Sequence, residues 1–131
     1  MIATDAFSYI NVLDKAADAS WIRSTCINNN IANVDTPGYK RQDIDFASVL
    51  KMELGRSKYT ALDDKIKNLH YNHLNASVYT DSENFSYRED RNNVDIDTES
   101  VERASETIKY QALTDSISQE FSRLKLAMAS S

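Results

Sequence analysis

His70 and His73 are the residues whose types and spacing come closest to a metal site. They are the only two histidines of the chain, and a spacing of three residues on a helix places both imidazoles on one face. With a carboxylate from Asp63 or Asp64, such a pair could bind a metal ion. A zinc site needs further nitrogen or sulfur ligands in a fixed geometry, and the chain offers none beyond a single cysteine. The sequence therefore favours polar loop residues over a metal site.

Two pairs of aspartates could do acid–base chemistry, Asp43 with Asp45 and Asp95 with Asp97. Such work needs both carboxyl groups of a pair to be buried together with shifted pKa values. Short acidic side chains also accept hydrogen bonds from the free amides at helix starts. We favour this capping role, with Asp97 as the expected cap of the last helix. Salt bridges between subunits are the alternative, and catalysis is the least favoured.

The rest of the chain lacks the patterns of catalysis and of nucleotide binding. No serine lies in a glycine-flanked elbow, and two glycines, Gly38 and Gly55, are too few for a phosphate-binding loop. Cys26 is alone and cannot form an internal disulfide; its helical surroundings predict a small apolar filler. The net charge of -5 and scattered basic residues argue against nucleic acid. We expect no enzyme, no cofactor and no bound metal.

The sharpest bend is predicted within Asn30–Tyr39, at the end of a long helical stretch. The single proline and one of the two glycines lie side by side there, in Thr36-Pro37-Gly38. Proline at the second turn position fixes φ and glycine at the third permits a positive φ, which predicts a type II turn. Asn30 and Asn33 can cap the last helical carbonyls. For Tyr39 two interpretations stay open, packing back on the helix or contacting a neighbouring subunit.

Two long segments that should position this turn have the periodicity of helices. Residues from about 5 to 32 and from about 98 to 128 contain neither glycine nor proline, and apolar or small residues recur at steps of three and four. The second segment has two such stripes, an upper one containing Val101, Ala104, Ile108 and Ala112 and a lower one containing Tyr110, Leu113, Ile117, Phe121, Leu124 and Met128.

Two paired helices bury only part of these stripes, so the pattern predicts association with further helices. The side chains expected to carry this packing are Phe7, Ile10, Leu13, Ile31, Ile108, Leu113, Ile117, Phe121 and Leu124.

The fold class that follows is mainly α, with long N- and C-terminal helices pairing as a coiled-coil-like hairpin and a short irregular middle segment. Residues 45–54 predict a short helix, and residues 77–80 and 85–88 a small β-hairpin. We divide the chain into an N-terminal helix (1–34), a turn motif with the middle segment (35–97) and a C-terminal helix (98–131), together one structural unit.

The sequence predicts neither a membrane span nor a cleaved signal peptide. No stretch approaches the roughly 18–20 apolar residues that a span requires. Residues 1–11 have no basic start, no continuous apolar stretch and no small-residue cleavage site.

Several motifs of this chain resemble those of a known family. Asn30–Tyr39 resembles the Asn-x-x-Asn-x-x-Thr-Pro-Gly-Tyr signature of the bacterial flagellar axial proteins, which are the rod, hook and hook-associated subunits. The run Asp43-Ile44-Asp45-Phe46 is similar to the FlgB family of proximal rod subunits, and residues 92–99 are similar to its second motif. The neighbouring FlgC family is one alternative. A soluble coiled-coil adaptor or export chaperone is an alternative of another class.

The resemblance implies a structural subunit of the flagellar drive shaft. Its terminal helices would pair and stack in a tube wall, while Asn30, Asn33, Thr36, Pro37, Gly38 and Tyr39 would set the turn. It implies self-association and, as partners, other rod subunits, the rod adaptor to the membrane ring and the export gate. It also implies a place in the basal-body rod within the cell envelope, reached by type III export without a cleaved signal peptide and without membrane insertion.

Overall fold

The computed structural model of the protein describes residues 2–81 and 89–130. The elements in chain order are α1 (Ile2–Ala32), β1 (Gln42–Ile44), α2 (Phe46–Gly55), α3 (Leu62–Lys67), a 3₁₀ turn (Tyr71–His73), β2 (Val78–Thr80) and α4 (Ile96–Ala129). The two long helices are confirmed, and each begins two or three residues earlier than expected.

Helices α1 and α4 pack against each other in antiparallel directions. Ser20 of α1 bonds to Glu106 of α4, and Asn30, further along α1, bonds to Glu99, which is earlier in α4. The helices run about 45 and 50 Å at 1.5 Å per residue. The predicted pairing of the terminal helices is therefore confirmed. Within the described residues, no helix combines the length and the apolar character that a membrane crossing needs.

The middle segment is folded against α1. The Tyr71 hydroxyl donates to Asp14 Oδ2 at 2.9 Å, Lys15 Nζ donates to Asn75 Oδ1 at 2.7 Å, and the side chains of Ile66 and Leu74 are buried. The sequence did not predict α3 or the 3₁₀ turn. Both are too short to show a helical period, and they form because their few apolar side chains cover α1.

The small sheet differs from the expected hairpin. Strand β2 confirms a strand within residues 77–80, but it pairs antiparallel with β1, with Ile44 opposite Val78 and Gln42 opposite Thr80. The other half of the expected hairpin, residues 85–88, lies outside the described residues. A three-residue strand carries too little periodicity to be predicted, so β1 was missed.

Aspartates begin two of the helices. Asp45 caps α2, accepting from Ser48 N at 3.0 Å, as expected. The cap of α4 is Asp95, which accepts from Asp97 N at 3.0 Å. The prediction that Asp97 is the cap is wrong, because the helix starts at Ile96 and Asp97 lies inside its first turn. There its charge still complements the helix dipole.

The bend after α1 is the predicted type II turn. Tyr39 N donates to Thr36 O at 3.2 Å, and Gly38 has a φ of 74°. Gly38 N also donates to Asp90 O at 2.7 Å, which ties the turn to the segment before α4.

Buried apolar side chains lie near this turn as well as further along α1 and in the middle segment. Cys26 and Ile27 of α1, Ile44 of β1 and Val94 before α4 are all buried. Burial raises the pKa of the Cys26 thiol, in keeping with an apolar filler. Among the described residues of α4, none after Glu106 is buried.

The two glycines provide a matched test of the turn. A methyl group at either position would meet nothing within 4 Å, but only Gly38 has a positive φ. We expect Gly38→Ala to lower the free energy of unfolding by roughly 1–2 kcal/mol, the cost of a left-handed L-residue. Gly55→Ala, at the end of α2, should leave it unchanged or raise it by up to about 1 kcal/mol. Urea denaturation measures both. Equal effects of the two substitutions would contradict the strain at Gly38.

Candidate functional site

The two sequence motifs meet at one end of the helix pair. We call this region the motif junction. It comprises polar side chains from α1, the turn, β1, the segment before α4 and the first three turns of α4: Ser20, Arg23, Asn30, Tyr39, Arg41, Asp43, Asn92, Asn93, Glu99, Glu102 and Glu106.

The side-chain amide of Asn30 forms hydrogen bonds with the backbone of β1. Its side chain is fully buried. Its Nδ2 donates to Gln42 O at 2.9 Å, and Gln42 N donates to its Oδ1 at 2.8 Å. Nδ2 also lies 3.2 Å from Glu99 Oε2. One amide thus joins the end of α1 to β1 and to α4.

Tyr39 packs back on the N-terminal helix. Its hydroxyl donates to Asn30 Oδ1 at 3.3 Å. The ring is half-buried, and burial raises the pKa of the phenol. Of the two interpretations, this geometry supports packing within the subunit.

Asn92 holds the backbone of the turn. The side chain is buried, and its Nδ2 donates to the carbonyls of Asn33 at 2.9 Å, Val34 at 3.0 Å and Thr36 at 2.9 Å. Val94 N donates to Asn92 Oδ1 at 2.8 Å. Backbone carbonyls of the segment that follows α1 are thereby satisfied from the second motif, as buried backbone groups require.

Asn93 extends this connection to the residues that lie just before β1 and just after β2. Its backbone N donates to Tyr39 O at 3.3 Å, and its Oδ1 accepts from Arg41 N at 2.7 Å. Its Nδ2 donates to Asp81 O at 3.2 Å. The two motifs, separated by more than fifty residues, therefore hold each other in place.

Glu106 is a buried carboxylate at the interface of α1 and α4. Ser20 Oγ donates to its Oε1 at 2.6 Å, and Arg23 Nη1 to its Oε2 at 2.7 Å. The same guanidinium contacts Glu102 Oε2 at 2.7 Å and Asp43 Oδ1 at 2.9 Å. Arg23 thus connects α1, α4 and β1.

Glu99 is the second buried carboxylate, one heptad before Glu106. Arg41 Nε donates to its Oε1 at 2.7 Å. Arg41 also contacts Asp43 Oδ2 at 3.1 Å and lies 3.5 Å from Asp81 Oδ2. The guanidinium groups of Arg23 and Arg41 therefore bind neighbouring carboxylates, and Asp43 contacts both of them.

The charges at the motif junction stabilise one another. Burial alone lowers the pKa of Arg23 and Arg41, but hydrogen bonds to their carboxylates outweigh it and raise both pKa values. Burial alone raises the pKa of Asp43, but hydrogen bonds from Arg23 and from Ile44 N hold it below its ordinary value. Because the folded-state pKa is depressed, the contribution of Asp43 to stability is present above its unfolded pKa and is lost as the pH falls through the folded value.

Asp43 is therefore an ion-pair residue and not a helix cap, which corrects the capping interpretation for this position. Asp45 and Asp95 do cap helices. The buried carboxylates of the motif junction each accept hydrogen bonds from neighbouring donors.

The histidine pair has the surroundings of polar loop residues. The rings of His70 and His73 lie 5.1 Å apart, and His73 Nδ1 is 3.3 Å from Glu53 Oε2. In residues 2–81 and 89–130, no group of three or more metal-ligating side chains is suitably placed for an ion.

The side chains expected to carry packing fall into three groups. Ile10 is buried. Half-buried side chains are Leu13, Ile31, Leu113, Ile117 and Leu124, and exposed ones are Phe7, Ile108 and Phe121.

The sequence alone does not predict Glu99 and Glu106 as interface residues. Charged residues at a helix start are usually solvated, which hid them. A signal was present, since Glu99, Glu106 and Leu113 are spaced by seven residues and share one helix face.

Asn92 offers a direct test of the motif junction. We expect Asn92→Asp to lower the free energy of unfolding by roughly 2–4 kcal/mol, because it removes buried donors and sets a carboxylate against three carbonyls. Asn68→Asp is the control: it removes one exposed contact to Asp64 O and should stay within about 0.5 kcal/mol. Chemical denaturation measures both. An Asn92→Asp variant as stable as the control would contradict the assigned contacts.

The chain is similar to known flagellar proteins. The family model described as flagella basal body rod protein matches residues 24–40, which contain the end of α1 and the turn. The flagellar basal body rod protein FlgB of Bacillus subtilis is 34% identical over 119 residues, 91% of this chain and 92% of that protein. FlgB of Salmonella typhimurium is 38% identical over 68% of this chain and 70% of its own length. FlgB of Borreliella burgdorferi is 30% identical over 85% and 88%.

The matched stretch and the nearly full-length similarity agree with the two interlocked motifs, and the chain belongs to the FlgB family of flagellar basal body rod proteins.

Proposed function

We propose that this protein is a non-catalytic structural subunit of the flagellar basal-body rod, at its proximal end. The observation that carries the proposal is the 34% identity to FlgB of Bacillus subtilis over 91% of the chain. The relatives described above are all named FlgB, which favours this family over FlgC. An adaptor or export chaperone has no comparable support.

The motif junction suits a mechanical role. Ion pairs and amide contacts connect α1, the turn, β1 and α4 in several directions, so the angle at which the chain leaves α1 is held from both sides. We assign this function to Asn30, Asn33, Thr36, Pro37, Gly38 and Tyr39. In a rod that transmits torque, a fixed angle would keep every subunit in the same shape.

The outer side of α4 is suited to contact neighbouring subunits. Val101 and Ile108 are each 68% exposed. Each lies two residues after a buried glutamate, and two residues rotate the helix by about 200°, so this apolar stripe points away from α1. Apolar side chains spaced in this way favour docking of another helix. The remaining packing residues, with Phe7 and Phe121 exposed, would complete such contacts.

Family membership also supports the wider setting of the proposal. We assign the protein to the rod in the cell envelope, with other rod subunits, further copies of itself, the adaptor to the membrane ring and the export gate as partners. Export would proceed without a cleaved signal peptide. The helical segments 1–34 and 98–131 and the middle segment 35–97 would act as one unit.

Gene deletion in the native bacterium tests this function. We expect loss of swimming and of the rod in isolated basal bodies seen by electron microscopy, with both restored by the intact gene. Gly38→Val should fail to restore them because a β-branched residue resists a positive φ, and so should a version truncated after Ile108. Gly55→Ala, expressed at the same level, is the matched control and should restore both. Normal rods in the deletion strain would refute the proposal.

A further inference from the structure

We infer that copies of this chain contact one another head to tail, with a basic pocket of one copy receiving the acidic start of α4 of the next. The inference rests on the proposed function, since it specifies one surface of the self-association that a rod subunit requires. It is argued from the distribution of charge.

The basic pocket lies between the end of α2 and α3. It is an open cavity of about 390 Å³ whose lining includes Arg56, Lys58, Tyr59, Lys65 and His70. Tyr59 supplies an aromatic wall, with Lys58 Nζ 5.4 Å from its ring centroid. The pocket combines concave shape, aromatic surface and positive charge, which together suit an anionic segment.

The only carboxylate in the lining is already neutralised. Glu53 is buried, and its Oε1 contacts Arg56 Nη1 at 2.8 Å. Within the described residues, Lys58 and Lys65 form no ion pair with a carboxylate. Their two ammonium groups therefore leave the pocket with positive charge available to a partner.

The acidic counterpart surrounds the start of α4. Residues 89–106 contain seven acidic and two basic side chains, and three of the seven, Glu99, Glu102 and Glu106, are paired with Arg23 and Arg41 of the motif junction. Residues 51–70 contain three acidic and five basic side chains. Glu89 and Asp97 are exposed, and neither is used in the ion pairs of the motif junction. A protein with a net charge of -5 thus concentrates opposite charges in two separate regions.

These two regions lie far apart along α1. The segment of α3 is held beside Tyr9 through Asp63, and the start of α4 is held beside Asn30 through Glu99. Twenty-one helical residues separate these anchors, or about 31 Å, several times the Debye length of about 8 Å at physiological ionic strength. The regions cannot meet within one molecule, so their complementarity can act only between molecules.

A contact between different surfaces of identical molecules is heterologous. Such contacts repeat from copy to copy and generate rings or open helical filaments rather than closed two-fold dimers. The arrangement of charge therefore suits the repeated contacts of a ring or of an open helical stack of subunits.

Complementary charge-reversed variants test the inference. Sedimentation velocity of the purified protein should show concentration-dependent association that weakens at least about tenfold when salt rises from about 50 mM to about 500 mM. The pocket variant Lys58→Glu/Lys65→Glu and the tail variant Glu89→Lys/Asp97→Lys should each stay monomeric. In their equimolar mixture the intact tail of one variant meets the intact pocket of the other, and the reversed pocket meets the reversed tail, so association should return.

The control reverses two exposed basic residues of α4 outside both regions, Arg123→Glu/Lys125→Glu, and should associate like the wild type. Circular dichroism checks that every variant is folded. A wild type that stays monomeric at low salt, single variants that associate like the wild type, or a mixture that stays monomeric would overturn the inference.

Complementation separates this inference from the proposed function. If deletion abolishes the rod and the pocket variant restores it as well as the wild type, the head-to-tail contact fails while the rod function stands. If deletion leaves the rod intact, the proposed function fails whatever the association in solution.

Discussion

Two buried carboxylates on the inner face of α4 constrain the rest of this structure. Glu99 and Glu106 lie where a helix pair normally buries apolar side chains, and an unpaired charge there costs several kcal/mol. Arg23, Arg41, Ser20 and Asn30 must therefore be in reach. That requirement fixes the register of α1 against α4 and also the path of the chain through β1, which supplies Asp43 and directly follows Arg41.

Such an interface trades stability for specificity. Replacing buried ion pairs with apolar residues often leaves a protein as stable or more so, but polar groups at interior positions can specify a single register. Here the polar contacts concentrate at the end of the helix pair that carries both motifs. The other end, where side chains such as Leu113, Ile117 and Leu124 are only half-buried, has less to hold it within one subunit. A subunit whose helix pair is held by many contacts at one end and is only half-buried at the other is suited to complete its packing with neighbouring subunits.

The sequence predicted the parts of the fold that depend on local chemistry. The long helices followed from their periodicity, and the type II turn followed from Thr36-Pro37-Gly38, where proline and glycine restrict φ directly. The pairing of β1 with β2, the roles of Glu99 and Glu106 and the contacts of Asn92 depend on residues distant in sequence. A glutamate on a helix or an asparagine in a loop looks the same whether it is solvated or buried. Asp95 shows the intermediate case: the capping chemistry was predictable, but its position depended on where the helix starts.

The measurement that tests the central claim most directly is native-state hydrogen exchange resolved along the chain. If the motif junction holds the fold together, the slowest amides should lie in residues 20–30 and 98–106, close to the rate of global unfolding. Amides near the start of α1 and in residues 115–129 should exchange much faster, through local opening. Slowest exchange in the second half of α4, or equal protection along both helices, would contradict the account.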